Sequence, residues 1–70
     1  MHLNKNKLGE LMDSKYGGNY RKFSLVLGVE VSQLHRILNS DSRAGTVFLG
    51  RLHKYCINNG LIFEEFINFD

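Results

Sequence analysis

An all-α, compact domain of five short helices is the fold class this sequence predicts, and three observations predict it. Apolar residues recur at i, i+3 and i+4 along most of the chain, as in Leu8, Leu11 and Met12, a spacing that lines one face of a helix. The periodic stretches are interrupted by Gly17-Gly18, Gly28 and Asn59-Gly60, turns that glycine closes without steric cost. The length of 70 residues with 43% hydrophobic content suits one core and one domain, residues 1–70.

In chain order, Met1 to Lys7 is polar and basic and is expected to fray. A first helix runs from Asn4 or Lys5 to Lys15 on the Leu8, Leu11, Met12 stripe and ends at the paired glycines. Asn19 is a suitable N-cap for a second helix that opens at Tyr20, with Phe23, Val26 and Leu27 as its inward set. Gly28 ends that helix and turns the chain, Val29 packs inward, and Glu30 opens a third helix near its positive end. There Val31, Leu34, Ile37 and Leu38 form the apolar stripe. Ser40 to Gly45 reads as a polar loop, after which Thr46 is placed to cap a helix reaching Asn58. In it Val47, Phe48, Leu49, Leu52, Tyr55 and Cys56 recur at helical spacing while Arg51 and Lys54 point outward. Leu61 to Phe69 reads as one short final helix with Glu64 and Glu65 near its start.

The stretch from Tyr20 to Asn39 carries the functional signal. Two short helices joined by a tight glycine turn make a helix-turn-helix unit, whose second helix can enter the DNA major groove. At about 100° per residue, Ser32, Arg36 and Asn39 lie opposite the apolar stripe, with Gln33 and His35 on the flanks. No acid occurs in the nine residues after Glu30. Each of these side chains can donate a hydrogen bond, and Arg36 and Gln33 are types that pair bidentately with guanine and adenine.

Over roughly Leu8 to Ile67 the chain resembles the lambda-repressor-like family (Cro and repressor type) of phage and bacterial helix-turn-helix regulators. The resemblance rests on Phe23-Ser24, the turn Gly28-Val29, Leu34 and Ile37 at the buried positions of the recognition helix, Arg43 after it, and the pattern of Leu49, Leu52, Leu61 and Phe66. It implies base reading by Val31, Ser32, Gln33, Arg36 and Asn39. It also implies backbone contacts by Tyr20 and Arg43, with Tyr20 bonded to phosphate or to a base-contacting side chain. Arg21, Lys22 and His35, as neighbouring basic or donor side chains, are expected to position the phosphate backbone with them. The chain departs from the family pattern where Ser24 replaces the usual alanine, where Val31 replaces a polar base reader, and where Ala44-Gly45 follows Arg43 without the common proline. Leu25 also stands on an outer face where a polar residue is usual.

The charge distribution agrees with a nucleic-acid partner. Residues 1–60 hold all nine Lys and Arg against four acids, and the last ten residues hold three acids and no base. Positive charge therefore coincides with the stretch that would meet phosphates. With no apolar run long enough for a bilayer and no signal-peptide pattern, a cytoplasmic, bacterial protein without a membrane partner is expected. The single Cys56 rules out an internal disulfide and suits a reducing compartment. His53 and Cys56 share a helix face, but His2 and His35 do not converge on them, so neither a metal nor a cofactor is expected. No nucleophile elbow, phosphate loop or paired carboxylate frame occurs, so the chain is not expected to be an enzyme. A ligand-sensing domain is also expected to be absent.

Phe63, Phe66 and Phe69 are three of the five phenylalanines, more than a domain of this size readily buries, so a weak homodimer through them is expected on a palindromic operator, the alternative being that the rings close the core. The resulting expectation is a transcriptional regulator acting by operator occupancy. The alternative is a small protein-binding module on the same fold, such as an anti-repressor or inhibitor.

Overall fold

Local sequence places the helix ends before any packing is considered. The computed structural model describes residues 2–40 and 43–69. Helix α1 (Lys5–Tyr16) starts where the Asn4 side chain accepts the Lys7 N–H at 3.1 Å, and it ends at Gly17 with φ +60°. Helix α2 (Tyr20–Leu27) starts where Asn19 accepts the Lys22 N–H at 3.1 Å. Asn at both N-caps satisfies an otherwise orphaned helix donor. Gly28 closes α2 with φ +77°, and its N–H donates to the Ser24 carbonyl at 2.9 Å. Val29 and Glu30 complete the turn into α3 (Val31–Asn39), and α4 (Thr46–Asn58) follows the loop.

Among the described residues there are four α-helices, not five. The segment expected to form a final helix is a single 3₁₀ turn, Phe63–Phe66, followed by a short strand β2 (Ile67–Asn68). Strand β2 pairs antiparallel with β1 (His2–Leu3), His2 opposite Asn68 and Leu3 opposite Ile67. The Asn4 N–H extends the pairing to the Phe66 carbonyl at 2.7 Å. The β-branched Ile67 and aromatic neighbours suit an extended backbone, and the N-terminal segment supplies backbone partners that a lone turn of helix lacks. So the described part of the N-terminal segment is paired, where the sequence predicts fraying.

Three further expectations are corrected. Thr46 does not cap α4; Gly45 holds the cap position and Thr46 is the first helical residue. Val26 is 47% exposed and Val47 is 69% exposed, because each lies more than a quarter turn from the centre of its helix's buried stripe. In α2 the inward place belongs instead to Ser24, which is buried and donates its Oγ–H to the Arg21 carbonyl at 2.9 Å.

The core joins Leu8 and Met12 of α1, Phe23 and Leu27 of α2, Leu34 and Ile37 of α3, Phe48, Leu52, Tyr55 and Cys56 of α4, and Phe66. Its aromatic centre is ordered: Tyr16 stacks on Phe23 at 5.3 Å between ring centroids, and Tyr55 meets Phe23 edge-on at 6.0 Å. The Tyr16 and Tyr55 hydroxyls share a hydrogen bond of 2.7 Å, which gives the buried phenol of Tyr55 the polar partner it needs.

Burial first, and the Tyr16 hydroxyl second, push the Tyr55 phenol well above its ordinary value of 10.0. The folded state then holds this proton more tightly than the unfolded chain does. Its contribution to stability is complete below about pH 10 and is lost as pH rises from there toward the higher folded value. Tyr55→Phe is expected to cost about 1 kcal/mol at neutral pH and to flatten the alkaline loss of stability. Urea unfolding across that pH range measures both, and parallel alkaline slopes for the two proteins would contradict this assignment. At the turn, a Cβ on Gly28 would meet Arg51 Nη1 at an ordinary 3.6 Å, so Gly28→Ala is penalised by its positive φ and not by a clash. The expected loss is about 1–2 kcal/mol with the fold retained, read from the same unfolding measurement and a circular dichroism spectrum.

Candidate nucleic-acid interface

Helix α3 has only one rotational setting in this core. Leu34 and Ile37 are buried, Leu38 packs partly against them, and the opposite side faces solvent. Ser32, His35, Arg36 and Asn39 are exposed there, and Gln33 is half-buried at the flank. Val31, assigned both to the apolar stripe and to base contact in the sequence, is 41% exposed at the start of the helix. No carboxylate is carried by α3, so the exposed side presents donors, acceptors and one guanidinium.

Tyr20, at the start of α2, holds the far end of this side. Its hydroxyl accepts a hydrogen bond from Asn39 Nδ2 at 2.8 Å, and its ring leans on the His35 imidazole at 4.8 Å. Asn39 Nδ2 also donates to the His35 carbonyl at 2.9 Å. Both hydrogen bonds leave from Nδ2, so the side-chain oxygen Oδ1 is the atom of this amide that keeps its acceptor capacity. Tyr20 in turn keeps its own hydroxyl hydrogen to donate.

The C-terminal end of α3 has a support that the sequence does not advertise. The Arg36 carbonyl accepts from the Ser40 N–H at 3.1 Å and from the Ser40 hydroxyl, and Lys5 of α1 donates its ammonium to the Ser40 carbonyl. A cation at this end also complements the helix dipole. Lys5 stands next to the Asn4 cap, and only the packing of α1 against α3 brings it to Ser40.

Around this face, Arg21 and Lys22 are exposed on the first turn of α2, and Arg43 is exposed after α3. Of the polar loop that leads to Arg43, Asp41 and Ser42 lie outside the described residues. Arg36, Arg21, Lys22 and Arg43 form no ion pair among the described residues, where Lys7 and Glu65 are the pair that does, at 3.8 Å on the surface. Unpaired cations around an acid-free helix face are available to phosphate oxygens.

The expected dimer residues divide three ways. Phe66 is 3% exposed and belongs to the core, which removes it from any interface; Phe63 is half-buried with the His53 ring against it at 4.8 Å; Phe69 is 67% exposed. Phe66 closes the gap between α1 and α4, a role the short final turn gives it. Cys56 is buried, and its thiol is pushed up first by that burial and then by the charge of Glu64, so it behaves as an apolar core residue. Among the described residues no group of three or more His, Cys, Asp and Glu side chains gathers at a place that could hold a metal ion. None of their helices is long and apolar enough to cross a membrane.

Compared with models of protein families, with curated proteins and with solved structures, the chain finds no match.

Tyr20→Phe keeps the ring on His35 and removes the acceptor for Asn39. The expected result is a stability change of no more than about 1 kcal/mol, with a large shift of the Asn39 side-chain amide resonances. An unmoved Asn39 amide in a proton–nitrogen spectrum of the variant would contradict the tether.

Proposed function

We propose that α2 and α3 form a helix-turn-helix of the lambda-repressor-like type and that the chain is a sequence-specific DNA-binding regulator, acting by occupying an operator. The observation that carries this reading is the exposed, acid-free side of α3, with Asn39 held in place by Tyr20. A helix fits the major groove when one side is anchored in a core and the other offers groups that match base edges.

In this reading Arg36 is the principal base reader, suited to the O6 and N7 acceptors of guanine. Gln33 and Ser32 stand beside it, and Val31 is placed to meet a thymine methyl. Asn39, with its amide hydrogens engaged, accepts from an exocyclic amine of adenine or cytosine. Tyr20, Arg21, Lys22, His35 and Arg43 position the phosphate backbone and add affinity without sequence information. Occupancy by each copy covers one half-site, and the groove contacts exclude other proteins from the same base pairs. The protein needs no cofactor and performs no chemistry in this role.

The test is fluorescence anisotropy with operator and scrambled duplexes over a salt series, the operator first selected from random duplexes. Arg36→Ala is expected to cost about 1–3 kcal/mol on the operator and to relax preference at one base pair. Arg43→Ala is expected to weaken binding to both duplexes alike and to reduce the salt slope by about one ion. Equal losses on both duplexes for both variants would rule out direct reading by Arg36. An absence of binding at low salt would turn the reading toward the protein-binding alternative.

A further inference from the structure

The C-terminal end of α2 and the face of α4 beside it leave a cleft of about 400 Å³ with no carboxylate among the described residues that line it. The α2 wall is aliphatic, Leu25 and Val26, and the α4 wall carries Arg51 and Lys54. Leu25 is 80% exposed, more than any other large apolar residue described. Neither Arg51 nor Lys54 forms an ion pair among the described residues. The cleft is at the opposite end of α2 from Tyr20, so the proposed DNA contacts of α3 do not account for its residues.

The same chain carries a surface of opposite character. Its last ten residues hold three acids and no base. The 3₁₀ turn and β2 are anchored by Phe66 and Ile67, while Ile62, Glu64 and Phe69 face outward. An exposed carboxylate flanked by exposed apolar side chains complements cations flanked by exposed apolar side chains in both charge and hydropathy.

One copy cannot make this contact with itself. The C-terminal segment lies against α4 on the side of His53, whose ring meets Phe63. Arg51 is two residues earlier, about 200° around the helix. Cleft and segment are therefore on opposite sides of α4. We propose that the cleft between α2 and α4 receives the acidic, apolar C-terminal segment of a second copy of this chain, Ile62, Glu64 and Phe69, so that copies associate head to tail. Because the two surfaces differ, the contact is heterologous and leaves a cleft and a segment unused at the ends of each row. On DNA, given the proposed function, such rows favour half-sites repeated in one orientation. The contact itself needs no DNA and is tested without it.

Sedimentation velocity of the full chain at low salt, from about 10 µM to about 1 mM, covers the range of weak association. The wild type is expected to shift progressively toward faster species, and added salt is expected to reverse the shift. Two variants change exposed residues only: a cleft variant, Leu25→Ser with Arg51→Glu, and a segment variant, Ile62→Ser with Phe69→Ser. Each alone is expected to weaken association by about tenfold or more, with thermal unfolding confirming that both remain folded. Mixed together, they are expected to give a one-to-one dimer that grows no further, since one supplies an intact segment and the other an intact cleft. A wild type that stays monomeric throughout, a cleft variant that associates as strongly as the wild type, or a mixture that stays monomeric would each overturn the proposal. DNA binding measured separately by anisotropy keeps the two readings distinguishable.

Discussion

The burial of Leu34 and Ile37 is the constraint on which the remaining structure depends. Both side chains insert from α3 into a core supplied by the other three helices and Phe66. Turning α3 by one residue, about 100°, would carry His35 or Arg36 toward that core, where an unpaired polar or charged group is strongly disfavoured. The rotation of α3 is thereby set, and the exposed row of Ser32, Arg36 and Asn39 follows from it as the complement of the buried one. The positive φ of Gly28 makes the chain reversal sharp enough for α2 and α3 to share the same apolar centre.

Setting a helix's rotation does not by itself order the side chains on its outer face. That ordering comes from other elements. Tyr20 reaches from α2 to Asn39 and His35, and Lys5 reaches from α1 to the carbonyl that ends α3. Side chains held before binding lose less conformational entropy on contact. Arg36 and Ser32 have no such tether among the hydrogen bonds of the described residues, so on the proposed reading they adapt to the base edges while Asn39 meets them already oriented.

The pairing of β1 with β2 brings the two ends of the described chain together. Long-range closure of this kind gives a small core one more wall: Leu3 packs partly against it and Ile67 is buried. It also decides which aromatic rings stay outside. With Phe66 drawn inward by the 3₁₀ turn, the exposed apolar surface of the C-terminal segment moves to Ile62 and Phe69. The exposed aliphatic surface at the other side of α4 centres on Leu25.

The positions of the four α-helices, and Leu8 and Met12 of α1 and Leu34 and Ile37 of α3 as buried residues, were legible in the sequence, because cap residues such as Asn19 and turn residues such as Gly28 act within a few bonds of their own position. Val31, read into the α3 stripe, is 41% exposed. The outward row of α3 was legible for the same reason, since helical periodicity alone separates it from Leu34 and Ile37. Tertiary structure alone decided that Phe66 is a core residue, that Val26 and Val47 are outside, that Lys5 supports α3, and that the C-terminal segment is a turn and a strand. Those outcomes depend on which distant backbone groups and side chains come into reach, and one helix's periodicity carries no record of that.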